Sequence, residues 1–124
     1  MLTLICGHSR AGKTTYSQRF DNVIHLDDTH STRKVREKVG RVVGDVVVEG
    51  IYYNPIDRVA LLEAYRGEGT RCICLDTPRE VREQRMGHAI RHDYPFRIPA
   101  YSEGWDEIIV IRGDEVDAVP CDQG

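Results

Sequence analysis

The apolar run Leu2–Cys6 leads without a spacer into Gly7-His8-Ser9-Arg10-Ala11-Gly12-Lys13-Thr14-Thr15. This stretch fills every fixed position of the pattern GxxxxGK[ST], which functions as the turn between a buried strand and the helix that follows it. With ordinary Gly, Lys and Ser/Thr usage, a chance match in a chain of this length is on the order of 0.5%. The residue types account for the chemistry. Gly7 and Gly12 let the backbone curl so that successive N–H groups point at phosphate oxygens. The start of the next helix adds a partial positive charge beneath them. Lys13 then reaches the β- and γ-phosphates, and the Thr14 hydroxyl is placed to ligate Mg²⁺. Residues Gly7, His8, Ser9, Arg10, Ala11, Gly12, Lys13, Thr14 and Thr15 are thus expected to hold the phosphates of ATP.

Four more apolar runs follow: Asn22–Leu26, Asp45–Glu49, Thr70–Leu75 and Asp106–Ile111. They are rich in Val, Ile, Leu and Cys and do not alternate with polar residues, as expected of strands covered on both faces. Helix-compatible stretches separate them, over Lys13–Phe20, Asp28–Val39, Pro55–Arg66 and Pro78–Met86. Pro55 and Pro78 suit a first helical turn, Asn54 and Thr77 suit caps, and Gly40 and Gly67 suit helix stops. The alternation of strand and helix predicts an α/β fold with right-handed crossovers. Joined to the GxxxxGK[ST] loop, it resembles the P-loop NTPases, which implies a three-layer fold: a five-stranded parallel sheet in the order 2-3-1-4-5, flanked by helices. Residues 1–112 are expected to form this one domain and residues 113–124 an acidic tail.

The net charge is −3, from 17 basic and 20 acidic residues. Residues 102–124 contain seven acids against Arg112 alone, so residues 1–101 carry +3. A phosphate-rich partner is compatible with that distribution. No apolar run approaches the ~20 residues that span a bilayer, and no secretory signal is recognisable at the N-terminus, so a cytoplasmic location without membrane contact is expected. Cys6, Cys72, Cys74 and Cys121 lack metal-site spacing; Cys72 and Cys74 read as small buried hydrophobes on one strand face.

Ligands of open parallel sheets sit at the carboxyl ends of the strands. Asp27 and Asp28 follow the second run there, and Glu49 ends the third. A carboxylate beside the phosphate loop can take the proton of an acceptor hydroxyl and aim it at the γ-phosphate. Asp27 is the candidate base, and Asp28 a substrate contact that could instead cap the second helix. Glu49 is a candidate partner of Mg²⁺ or its water, or of the acceptor. Arg79, Arg82 and Arg85 recur every three residues along one helix flank. Arg85 and Arg91, flanking Gly87, are the candidates for closing over the transferred phosphoryl group, with Arg97 a further one; Glu80 and Glu83 offer the alternative of a salt-bridged surface. Residues 33–41 carry +4, which suits either a nucleic-acid backbone or a solvated helix face. Tyr52, Tyr53, Tyr94 and Phe96 are equally compatible with base stacking and with core packing.

Beyond the loop, His25-Leu26-Asp27-Asp28-Thr29-His30, the segment Val46–Arg58, Leu75–Arg85 and Glu103–Ile111 give a chain that resembles the P-loop kinases of the polynucleotide 5′-hydroxyl kinase group, the small phage-type kinase domain in particular. The resemblance spans roughly Leu2 to Arg112. It implies that Asp27 is the general base and that a basic residue three positions later contacts substrate phosphate, here His30, with Arg33 nearby. His30 stands where the family usually has arginine, Glu49-Gly50 also resembles uridine-kinase-like enzymes, and the segment between Arg85 and Trp105 is shorter than in the family. The activity implied is ATP- and Mg²⁺-dependent transfer of a phosphoryl group to a nucleic-acid hydroxyl, at a 5′ end or on a hydroxymethylated base. The alternatives are a kinase for a nucleoside, nucleotide or other small metabolite, a nucleotide-dependent ATPase or switch, and a catalytically inactive nucleotide-binding protein. The oligomeric state is left open.

Overall fold

A computed structural model of the chain describes residues 1–8, 10–91 and 95–112. The expected acidic tail, with Cys121, lies outside them, as do Ser9 and Tyr94. Five strands, β1 (Leu2–Gly7), β2 (Val23–His25), β3 (Val46–Gly50), β4 (Thr70–Asp76) and β5 (Glu107–Arg112), form one sheet. Every pairing is parallel and the order is β2-β3-β1-β4-β5, as the sequence predicts.

The apolar runs are continuous because both sheet faces are covered. Leu2, Leu4 and Cys6 of β1, Val46 and Val48 of β3, and Cys72 and Cys74 of β4 point to one side. Val35 and Val39 of α3 (Thr32–Val39) and Leu61 of α4 (Pro55–Ala64) cover them there. Ile5, Val47, Ile73 and Leu75 point to the other side, where Tyr16 of α1 (Lys13–Ser17) packs. Each fully buried Leu or Val of this kind contributes roughly 1.5–3 kcal/mol of transfer free energy. Cys6, Cys72 and Cys74 are all buried thiols, with Cys6 Sγ 3.7 Å from Cys72 Sγ, which bears out the reading of Cys72 and Cys74 as core residues.

Local chemistry sets the helix ends. Asn54 Oδ1 accepts from the Asp57 amide at 2.9 Å, with Pro55 at the first helical position. The expected helix over Asp28–Val39 is broken in two. A single turn, α2 (Leu26–Thr29), ends at His30 with φ 54°, and Ser31 is extended. Ser31 Oγ accepts from the Lys34 amide at 3.3 Å and caps α3. Asp28 therefore does not cap the second helix; it lies inside α2. The last helix, α5 (Arg79–Met86), starts one residue later than expected, with Pro78 at the cap position. Thr77 does not cap it, because its hydroxyl donates to the Ala11 carbonyl at 2.7 Å. After Ser17 the first helical stretch tightens into i→i+3 bonds up to Phe20, the usual way a helix end closes.

A buried ion pair ties α4 to the segment just before β5. Arg58 is fully buried and binds Glu103 through Nε–Oε1 and Nη2–Oε2, both at 2.9 Å. Its Nη1 donates to the Tyr52 carbonyl at 2.7 Å, and Trp105 Nε1 donates to Glu103 at 3.1 Å. Burial opposes ionisation of Glu103, yet the Arg58 and Trp105 hydrogen bonds outweigh it and hold the carboxyl below its usual range. Among the described residues no helix is long and apolar enough to cross a membrane.

Candidate phosphate-transfer site

The turn between β1 and α1 uses backbone conformations that glycine favours. Gly12 has φ 101° and Gly7 φ 153°, and Arg10 adopts φ 62° despite its side chain. At Gly7 a Cβ would lie 2.6 Å from the Leu75 carbonyl oxygen, so the chain leaves β1 against β4 in space that only glycine fits. The carbonyls of the loop are occupied from its own residues, from Thr77 and from α5. Ala11 N donates to His8 O at 3.1 Å, Thr77 Oγ1 to Ala11 O, and Arg85 Nη1 to Arg10 O at 3.0 Å.

Lys13 is 9% exposed, and its Nζ donates to His8 O at 2.6 Å. Burial pulls its ammonium below the usual lysine range, and the carboxylates of Glu49 and Asp27 partly restore it. Burial leaves this cation short of hydration, so an anion placed against it would favour its charged form. Thr14 is exposed at the first turn and donates from Oγ1 to Glu49 Oε1 at 3.2 Å. Glu49 is buried at the end of β3, and His25, the last residue of β2, stands opposite it in register. His25 Nδ1 lies 3.1 Å from the same Oε1. A hydroxyl and a carboxylate side by side are the hard oxygen donors that Mg²⁺ takes. Among the described residues there is no cluster of three His, Cys, Asp or Glu side chains fit to hold a metal ion, so any cation here would draw ligands from phosphate or water as well.

Asp27 and Asp28 are exposed on α2, directly after β2. The close seat of α2 on the sheet depends on Gly50, where a Cβ would stand 2.7 Å from Leu26 Cβ. A cleft of about 470 Å³ opens beside α2, lined by Leu26, Asp27, His30, Ser31, Thr32 and Arg33. The structure thus brings Lys13, Thr14, Glu49 and Asp27 together, and Asp27 shares the cleft with His30 and Arg33. Arg33 is exposed and pairs with Glu37 at 3.3 Å.

Of the arginines on and after α5, Arg85 reaches the phosphate loop, whereas Arg91 is exposed beyond α5 and no described contact ties it to the loop. Arg79 pairs with Glu83 at 3.7 Å and donates to the Ile90 carbonyl, and Glu83 accepts from the Ile90 amide at 2.8 Å. These two side chains fold the chain after Gly87 back onto α5, which is the salt-bridged alternative. The sequence places Arg82 on one flank with Arg79 and Arg85 without singling it out. It is 4% exposed, donates from Nε to Thr77 O at 3.1 Å, and its charge acts on Lys13. Its i±3 relation to Arg79 and Arg85 was visible; which of the three turns inward depends on packing.

His25 was also passed over, though it ends a strand at the ligand edge as Glu49 does. Tyr52 is buried in the core, so it is no stacking platform. Phe96 packs against that core with its ring 5.2 Å from His8 of the loop, and Tyr53 is exposed.

No protein-family model matches the chain, and no curated protein does. Among solved structures the chain is similar to the unliganded crystal structure of a sugar kinase from Janibacter sp. HTCC2649. The identity is 17% and the TM-score 0.58, over 98% of this chain and 88% of that one. At that identity the likeness is one of fold.

Proposed function

We propose that the chain is a P-loop kinase that moves the γ-phosphoryl group of ATP to a hydroxyl of a nucleic acid. The observation that carries this reading is the meeting of a buried lysine on a glycine-shaped loop with an exposed carboxylate, Asp27, whose charge acts on that lysine. In this reading Lys13 and the loop amides bind the β- and γ-phosphates. Thr14, with Glu49 beside it, would hold Mg²⁺, which when bound neutralises charge on the phosphate oxygens. Asp27 accepts the acceptor's hydroxyl proton as that oxygen bonds to the γ-phosphorus and the bond to the bridging oxygen of ADP breaks. Arg85, held at the loop, supplies positive charge where the transferred group gains negative charge; Arg91 joins it only if the chain after α5 moves. His30 and Arg33 contact the acceptor from the cleft, and Asp28 from the exposed side of α2.

A polymeric acceptor is favoured by α3. Lys34, Lys38 and Arg41 are exposed on and just after this helix, which begins at the cleft with Arg33. They can follow a phosphate backbone away from the reacting end. A small acceptor is the second reading, since a cleft of about 470 Å³ also suits a single sugar or nucleotide unit.

Labelled ATP incubated with 5′-hydroxyl oligonucleotides, hydroxymethyl-pyrimidine DNA, nucleosides, nucleotides and sugars separates these readings. Transfer to an oligonucleotide is expected, weakening steeply with salt and reduced in Lys34→Glu/Lys38→Glu. Transfer confined to small acceptors, at any salt, would reject the nucleic-acid acceptor. ATP hydrolysis with no acceptor in the whole panel would reject the kinase reading.

A further inference from the structure

Glu49 Oε1 is the meeting point of two donors from different elements, Thr14 Oγ1 at 3.2 Å and His25 Nδ1 at 3.1 Å. A carboxylate only accepts, so the proton of this contact sits on Nδ1 of the imidazole. The pair is fixed by the backbone: His25 and Glu49 are direct partners in the parallel β2–β3 ladder. The Glu49 side chain is 6% exposed and that of His25 32%.

The consequence concerns Thr14. Its hydroxyl has one proton and two lone pairs. Giving the proton to Glu49 directs the lone pairs elsewhere, where a cation can use them. That arrangement persists only while the carboxylate keeps its orientation, and the terminal torsion of a glutamate is broad and weakly restrained on its own. The His25 N–H grips the very oxygen that receives the Thr14 proton. Resting on the kinase reading above, we propose that His25 is a positioning residue: through Glu49 it aims the Thr14 hydroxyl at the nucleotide-bound divalent cation. Groups that orient a metal ligand in this way typically carry about 10–100-fold in metal affinity.

The test uses Mn²⁺ as the cation and measures its binding to the ADP-saturated full chain by electron paramagnetic resonance. In His25→Asn the side-chain amide nitrogen stands close to where Nδ1 stood; in His25→Leu no donor remains. His25→Leu is expected to weaken Mn²⁺ binding about tenfold or more, with His25→Asn recovering most of the loss. ADP binding in chelator is expected to be the same in all three proteins. Should His25→Leu fail to fold, His25→Ala against His25→Asn makes the same comparison. Equal Mn²⁺ affinity in the donorless variant and wild type would overturn the role of His25 while leaving the kinase reading intact. A wild-type chain that binds no Mn²⁺ with ADP would overturn both.

Discussion

Gly50→Ala probes the link between the sheet and the proposed base. The new Cβ would stand 2.7 Å from Leu26 Cβ, 3.0 Å from Leu26 Cδ2 and 3.1 Å from Tyr52 Cδ2. Carbon atoms rest about 3.5–4.0 Å apart, so Leu26 has to retreat by roughly 1 Å. Leu26 opens α2, and Asp27 is the next residue, so the carboxylate moves with it. A misplacement of ~1 Å at a reacting group costs about 10²-fold in rate. Overpacking of this kind costs about 1–3 kcal/mol of stability, which for a domain of this size lowers Tm by roughly 4–12 °C. Lys13 contacts the loop carbonyl rather than α2, so nucleotide affinity is expected to change little. Steady-state kinetics, ADP titration and thermal unfolding read the three quantities separately. A Gly50→Ala protein with wild-type kcat and wild-type Tm would show that α2 is not seated through Gly50 and that Asp27 is not placed by it.

Glu103→Gln leaves Arg58 charged and fully buried without its partner, and breaking such a pair costs about 3–5 kcal/mol, read as a large fall in Tm. Because the folded Glu103 carboxyl lies below its usual range, its contribution is complete above an unfolded value of about 4.3 and is lost as pH falls through the depressed folded value. The Tm advantage of wild type over Glu103→Gln should therefore shrink only in acid, and a gap that closed at neutral pH would contradict this. Burial pushes the Cys6 thiol up, and the hydrogen bond with Cys6 together with burial raises Cys74. Iodoacetamide should accordingly label Cys6 and Cys74, and by burial alone Cys72, only after denaturation, and peptide mapping of rapidly alkylated native protein is the check. Lys13→Ala should remove measurable ATP binding by calorimetry, since the buried ammonium is lost from the loop; ATP affinity equal to wild type would exclude Lys13 from the phosphate site.

The strands and the glycine-shaped turn after β1 are readable because each is encoded locally. Uninterrupted Val, Ile and Leu runs report burial on two faces, and Gly7, Gly12 and Lys13 report a backbone shape. What escaped was decided by distant partners. Thr77 reads as a cap until the Ala11 carbonyl, 66 residues away, takes its hydroxyl. Asp28 reads as a cap until Ser31 takes that place after the left-handed turn at His30. Arg82 cannot be told from Arg79 and Arg85 by spacing, because packing, with its bond to the Thr77 carbonyl, selects it. His25 acquires its meaning from strand register with Glu49, although both were visible as strand ends on the ligand side.

The central claim is that Asp27 deprotonates an acceptor hydroxyl beside a nucleotide held by Lys13. Asp27→Asn preserves size and removes the base. In a single-turnover experiment with γ-labelled ATP and the best acceptor from the panel, this variant should bind ATP like wild type and transfer label about 10²-fold more slowly or worse. Label appearing on the acceptor at the wild-type rate would contradict the assignment of Asp27 and the mechanism built on it.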